Sequence, residues 1–238
     1  MLLDNNADVN ASCTDNGATP LYIATEKGHT EILKLLLGAN AVVNANRHTT
    51  TTPLYIASQN GHTEVVKLLL DNNSDVNARR KDNGATPLHI AAYNGQTEVV
   101  KLLLYNNADV KASKYTDSVT PLYAAAQNGH ADIVKMLLHD NAVVNARRTD
   151  DGSTPLYVAA QEGHTEVVKV LLDNDAVINA STHKGATALY AATCGGHTEV
   201  VKLLLDNNAD VNIRSRSDDK AIDAARHRRH SDIVKLLK

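Results

Sequence analysis

Histidine, cysteine, threonine and glutamate supply the side chains of this chain that could serve as bases, nucleophiles or metal ligands. The sequence has 11 histidines and two cysteines among its 238 residues. His227 and His230 lie three residues apart, a spacing that places two imidazoles on one face of a helix. His230, however, occupies the same position in a recurring pattern as His29 and His62. This recurrence favours a structural histidine, and we expect neither a metal nor a cofactor.

Recurrence also argues against catalysis. An active site needs a nucleophile or an acid–base pair gathered in one concave place, whereas these threonines, histidines and glutamates return at every period of the sequence. The sequence has no glycine-rich phosphate loop. We expect a protein without enzymatic activity, although the chain could direct an enzymatic domain that belongs to a longer protein.

The elements that position these residues follow from an internal repeat. A Thr-Pro-Leu tripeptide or a variant of it begins at Thr19, Thr52, Thr86, Thr120, Thr154, Thr187 and, in degraded form, Lys220. Consecutive copies are 33 or 34 residues apart. A period of this length is typical of stacked small units that cannot bury their apolar faces alone.

Each unit is predicted to hold two helices. Thr19 can cap the first helix and Pro20 fits its first turn, while Gly28 suits the left-handed conformation that closes it. The second helix is predicted to begin after His29, with Glu31 in its first turn and an apolar face broad enough to pack on both neighbours. It should end at a residue with positive φ. The residues predicted to have positive φ are Asn40, Asn73, Asn107, Asn141, Asp175 and Asn208.

Three segments carry a family resemblance. Residues 86–92 read Thr-Pro-Leu-His-Ile-Ala-Ala, residues 163–169 read Gly-His-Thr-Glu-Val-Val-Lys, and residues 209–212 read Ala-Asp-Val-Asn. These segments resemble the ankyrin repeat, and the resemblance covers essentially the whole chain. It implies an all-α fold, a helical repeat solenoid with short β-hairpin fingers between the helix pairs, that binds other proteins.

The repeat boundaries follow from this resemblance. We expect one solenoid over residues 1–238, with a partial repeat at 1–12, six full repeats at 13–212 and a C-terminal capping repeat at 213–238. The partial first repeat predicts truncation, a fragment of a longer array, or an end covered by another chain. The last repeat carries Arg226 and Arg229 at positions that are small or glycine elsewhere, with His227 and Arg228 between them, as expected for a polar terminal face.

Partner binding is predicted where the repeats differ. The two positions before the glycine that closes the first helix vary in every unit, and the resemblance implies that they line a concave groove. Most are polar, and Tyr93 is the one aromatic residue among them, which makes it the expected anchor. The residues assigned to the groove are Gln59, Asn60, Tyr93, Asn94, Gln127, Asn128, Gln161 and Glu162.

The finger tips vary most, and several are basic. Stacked fingers would align these residues as a positive ridge that attracts an acidic protein surface or peptide, although ordinary solvated turns are the alternative. The residues assigned to the ridge are Arg47, Arg79, Arg80, Lys81, Lys114, Tyr115, Arg147 and Arg148. Nucleic acid is disfavoured as a partner, because no aromatic platform accompanies the arginines at the C-terminal end.

A second function stays open at this stage, that of a structural spacer or assembly segment of a longer repeat protein. A monomer is expected under the first interpretation and end-to-end association at the N-terminal end under the second. The sequence shows neither a signal-peptide pattern nor an apolar run of membrane-spanning length, and Cys13 and Cys194 are too far apart to predict a disulfide. We therefore expect a soluble protein of a reducing, cytoplasmic compartment, with delivery into a host cell left open.

Overall fold

The computed structural model describes residues 7–45 and 51–238. Helices account for all the regular structure in these residues, and they alternate between a first and a second helix of each pair. The bounds are α1 (Pro20–Lys27), α2 (Thr30–Gly38), α3 (Pro53–Asn60), α4 (Thr63–Asp71), α5 (Pro87–Tyr93), α6 (Thr97–Tyr105), α7 (Pro121–Gln127), α8 (Ala131–His139), α9 (Pro155–Glu162), α10 (Thr165–Leu172), α11 (Ala188–Gly195), α12 (Thr198–Asp206), α13 (Ala221–Arg228) and α14 (Ser231–Leu236).

The chain forms two compact units, Met1–Thr116 and Asp117–Lys238. In the first unit, α1, α3 and α5 pack in series, as do α2, α4 and α6. In the second unit, α7, α9, α11 and α13 form one series and α8, α10, α12 and α14 the other. First helices thus stack on first helices and second helices on second helices, which confirms the predicted all-α repeat fold.

The predicted helix starts and ends are confirmed. In six of the seven pairs a threonine hydroxyl caps the first helix, as where Thr52 accepts a hydrogen bond of 3.1 Å from the backbone N–H of Tyr55. Lys220 replaces threonine in the last pair, and there the Asp223 carboxylate accepts from the Lys220 backbone N–H at 3.1 Å. At the other end of the pair, all six predicted Asn and Asp residues have positive φ, between 61° and 66°.

Both helices of each pair contribute to the core, and the second helices do so through a broad apolar face. In α4 the side chains of Val65, Val66 and Leu69 are buried, so the prediction of a broad apolar face is confirmed there. For α2 the prediction of packing on both sides is wrong within the described residues, because Ile32 and Leu35 are 48% and 52% exposed. Among the described helices, α1 and α4 make the main contacts with α2, and no described helix covers the side on which Ile32 and Leu35 lie.

Turns, rather than β-hairpins, form the fingers, which here means the segments between one helix pair and the next. The described residues contain a single isolated bridge, between Ser181 and Thr187. In the finger between α4 and α5 the Arg80 N–H donates to the Ala85 carbonyl at 2.9 Å and the Gly84 N–H donates to the Arg80 carbonyl at 2.8 Å. Two such bonds close a turn without extending a ladder, so the expected hairpin is reduced to its tip.

Candidate functional site

The recurring histidine joins consecutive repeats. The Nε2 atom of His62 lies 3.1 Å from the Glu26 carbonyl oxygen, and that of His197 lies 2.9 Å from the Gln161 carbonyl oxygen. Each of these carbonyls belongs to the last turn of the preceding first helix, where no intrahelical partner remains. The structural role predicted for this histidine is confirmed. The described residues contain no group of three or more histidine, cysteine or acidic side chains placed to hold a metal ion.

The groove residues of the first unit divide into two kinds. The side-chain amides of Asn60 and Asn94 donate to the carbonyls of Glu26 and Gln59, each at 3.0 Å. These two asparagines therefore tie first helices together, a use that the sequence pattern did not reveal. Tyr93 is different, because 48% of it is exposed at the end of α5. It is the large side chain of this face that a partner can reach.

The groove residues of the second unit are all polar, and none is as large as Tyr93. Gln127, Gln161 and Glu162 are exposed, and the Gln161 amide donates to the Glu162 carboxylate at 3.0 Å. The Asn128 amide donates to the Ala124 carbonyl of its own helix at 2.9 Å. This face offers hydrogen-bonding groups without an aromatic anchor.

Two finger arginines are bound to the neighbouring finger. Arg79 donates from Nη1 to the Ser113 carbonyl at 2.9 Å, and its guanidinium lies 5.3 Å from the centroid of the Tyr115 ring. Arg147 donates from Nη2 to the Ser181 carbonyl at 2.6 Å. Both side chains therefore support the fingers while their charge remains near the surface.

Two further arginines are paired with carboxylates. Arg80 donates from Nε and Nη2 to the two oxygens of Asp82, at 3.0 and 2.5 Å, and its guanidinium lies 5.3 Å from the Tyr55 ring centroid. Hydrogen bonding to Asp82 raises the pKa of Arg80, and the same bonds lower the pKa of Asp82. Arg148 pairs with Asp150 at 2.9 Å. Their carboxylate partners offset much of the positive charge that the sequence places here.

The remaining residues assigned to the ridge differ in how exposed they are. Lys81 is exposed and Lys114 is half-buried, while Arg47 lies outside the described residues. The structure also presents basic residues that the sequence analysis did not assign. Lys184 and Arg216 are exposed beside an opening of about 690 Å³ between the last two fingers. A sequence signal for this opening exists, because Thr182 and Ser215 stand where Arg80 and Arg148 stand in earlier fingers.

The two cysteines should differ in reactivity. Burial raises the pKa of the half-buried Cys194 thiol, whereas Cys13 is exposed. The thiolate is the reacting form, so a raised pKa leaves less of it at a given pH. We expect iodoacetamide at pH 7.5 to alkylate Cys194 at least about threefold more slowly than Cys13, measured by peptide mapping over time. Equal alkylation rates in the folded protein would contradict this. The control is alkylation in about 8 M urea, where the protein is unfolded and the two cysteines should react at equal rates.

No described helix combines the length and apolar character that a membrane crossing requires. Comparison with protein families finds a model described as ankyrin repeats, in three copies. It matches at residues 1–80, 44–114, 65–148, 111–182 and 178–238, which together cover the chain from end to end. No curated protein matches the sequence.

Proposed function

The chain belongs to the ankyrin-repeat family, whose members generally bind other proteins, and on that premise we propose that it is a non-catalytic module that holds a partner protein. The partner contacts are made by the exposed ends of the first helices and by the finger tips. The protein acts as a monomer in a reducing, cytoplasmic compartment, consistent with two free cysteines.

Tyr93 is the observation that carries this proposal. Its neighbours along the first helix, Ala91 and Ala92, are fully buried, whereas 48% of Tyr93 is exposed. A tyrosine offers a large rigid apolar surface and a polar tip at low entropic cost, and such residues dominate binding energy at interfaces. Asn94 is held by its bond to the Gln59 carbonyl, so the surface beside Tyr93 is ordered before a partner arrives. Preorganisation of this kind lowers the cost of association.

A second candidate function, assembly through the first helix pair, rests on a different observation. Ile23, Ile32 and Leu35 are 42%, 48% and 52% exposed and leave an apolar side on α1 and α2. Another helix pair packed on this side would bury these groups, in the same way that consecutive helix pairs bury each other's apolar faces within the unit. Concentration-dependent association in sedimentation experiments, lost with Ile32→Glu, would support assembly in place of the monomeric module.

The test of the binding module compares Tyr93→Ala with Tyr105→Ala in pull-downs from cytosol followed by mass spectrometry. Tyr105 is the matched control, since it belongs to the second helix of the same pair and is 87% exposed. Loss of a hot-spot tyrosine costs about 2 kcal/mol or more, roughly a 30-fold loss of affinity. We expect a protein that the native chain and Tyr105→Ala retain and that Tyr93→Ala loses. Retention by Tyr93→Ala and loss by Tyr105→Ala would place binding on the second helices and overturn the proposal.

A further inference from the structure

One finger position is filled by arginine in some repeats and by a small hydroxyl residue in others. The backbone N–H of this position closes the turn by donating to a carbonyl four or five residues later, at 2.9 Å in each case. The residues at this position in four fingers are Arg80, Arg148, Thr182 and Ser215. Each of them follows the tyrosine of the preceding first helix by 25 residues, the four tyrosines being Tyr55, Tyr123, Tyr157 and Tyr190.

The change from arginine to a small residue uncovers the tyrosines. Tyr55 and Tyr123, which precede the arginines, are 5% and 4% exposed, and the Arg80 guanidinium covers the Tyr55 ring. Tyr157 and Tyr190 are only partly buried. The opening of about 690 Å³ lies at this place and includes Tyr157, Thr182, Lys184, Tyr190, Ser215 and Arg216 in its wall. We call it the finger pocket.

The finger pocket carries uncompensated positive charge. Lys184 and Arg216 are exposed and form no ion pair with any described residue, in contrast to Arg80 and Arg148. Their fingers are fixed side by side, because the Arg216 N–H donates to the Lys184 carbonyl at 2.8 Å. One carboxylate, that of Asp151, also lines the pocket.

The Asp151 carboxylate is already engaged. It accepts hydrogen bonds from the backbone N–H and the hydroxyl of Ser153, at 2.9 and 2.6 Å. Two cations therefore face one carboxylate that is held by its own finger. The residues that line the pocket therefore have a net positive charge, which favours an anion. The Asp219 carboxylate, near Tyr190 but outside this lining, accepts a hydrogen bond from the Ser217 hydroxyl at 2.9 Å.

Tyr157 adds a hydrogen-bond donor to the pocket. In the preceding repeat the Tyr123 hydroxyl lies 3.0 Å from the Ser153 hydroxyl, but Ala186 occupies the position of Ser153 in the next finger. The Tyr157 hydroxyl has no hydrogen-bond partner among the described residues. Burial raises its pKa, so it stays protonated at neutral pH and can donate to an anion.

We propose that the finger pocket binds a glutamate or aspartate carboxylate from an acidic segment of the partner protein, with Lys184, Arg216 and the Tyr157 hydroxyl as donors. The tyrosine rings receive the apolar part of the same segment. The inference rests on the proposed function and assigns the chemistry of the partner. The sequence analysis placed anion recognition on a ridge that includes Arg80 and Arg148, which are paired with carboxylates. The proposal places it instead on Lys184 and Arg216, which form no ion pair with a described residue.

The test uses a fluorescein-labelled peptide, Glu-Glu-Leu-Glu-Glu, and its counterpart in which glutamine replaces glutamate, in anisotropy titrations at about 0.05 M salt, where surface charges are weakly screened. Removing a charge-assisted hydrogen bond should weaken binding about tenfold, so we expect this loss with Lys184→Gln and again with Arg216→Gln. Tyr157→Phe should weaken binding about threefold, as a neutral hydrogen bond would. Lys169→Gln is the matched control, because Lys169 is an exposed lysine on α10 of the same unit, away from the fingers, and this change should leave binding unchanged.

Thr182→Arg separates occupation of the pocket from diffuse charge attraction. This substitution adds a positive charge but restores the arginine that covers the tyrosine in the earlier repeats. We expect it to weaken binding of the glutamate peptide by about tenfold or more, because the site is filled. Binding that is unchanged or tighter in Thr182→Arg, or equal binding of the glutamine peptide, would overturn the proposal. Circular dichroism of each variant establishes that the helices are intact.

The two proposals fail separately. If Tyr93→Ala loses a protein in the pull-down while the peptide shows no binding, the module stands and the finger pocket assignment is wrong. If the peptide binds and responds to Thr182→Arg as expected while Tyr93→Ala retains every protein, the pocket stands and the Tyr93 face is wrong.

Discussion

Leu137→Ala is expected to lower the free energy of unfolding by about 3–5 kcal/mol. Leu137 is fully buried in α8, which packs against α7 of its own pair and α10 of the next. Truncation removes apolar contacts with both pairs and leaves a cavity, which the packed helices cannot close because each is held by its caps and its neighbours. In a stacked fold each repeat depends on its neighbours for burial, so this loss weakens the packing on both sides. The measurement is urea unfolding followed by circular dichroism.

Leu35→Ala is the matched control for this substitution. Leu35 also belongs to a second helix, α2, but it is 52% exposed. The same change of side chain should cost under about 1 kcal/mol there, since little apolar contact is lost. Equal losses in the two variants would mean that burial within the helix stack does not determine stability in this fold.

The helices were predictable because their signals are local. A threonine hydroxyl reaches an N–H three residues later, and an asparagine adopts positive φ at low cost, so Thr52 and Asn73 report the ends of their helices without any neighbour. The period then predicted how the pairs stack. The uncovered side of α2 and the reduced hairpins were not predicted, because both depend on what lies beside the element rather than on its own residues.

The candidate site was less predictable, since its polar groups are divided between binding and support. Asn60 and Arg79 look exposed and variable in the sequence, yet each donates to a carbonyl of another repeat. Such a bond joins residues about one period apart. Its acceptor is a backbone carbonyl, which every residue has, so no particular residue type in the sequence indicates it. By contrast, Thr182 could have been identified, because the interval from tyrosine to arginine is constant where both occur.

Contacts between repeats explain why glycine is required at the end of several first helices. The His197 imidazole lies over Gly163 as it reaches the Gln161 carbonyl, and a Cβ on Gly163 would stand 2.5 Å from its Nδ1 atom. Gly163 also has a φ of +80°, which side chains rarely adopt. In the last repeat Arg229 occupies the equivalent position with a φ of +62°, and no described histidine of a following repeat faces it. The requirement for glycine thus comes from the neighbour as well as from the backbone.

Gly163→Ala is therefore expected to lower the free energy of unfolding by about 2–3 kcal/mol, of which the left-handed backbone accounts for about 1–2 and the displaced histidine bond for about 1. Gly38→Ala is the control, because Gly38 is helical and a Cβ there meets no atom within 4 Å; it should be neutral or stabilising by up to about 1 kcal/mol. Urea unfolding of both variants gives the comparison. A double-mutant cycle with His197→Ala then isolates the contribution of the ring. Gly163→Ala should cost less when the imidazole is absent, and an unchanged cost would assign the whole effect to the backbone and contradict the role given to the neighbouring repeat.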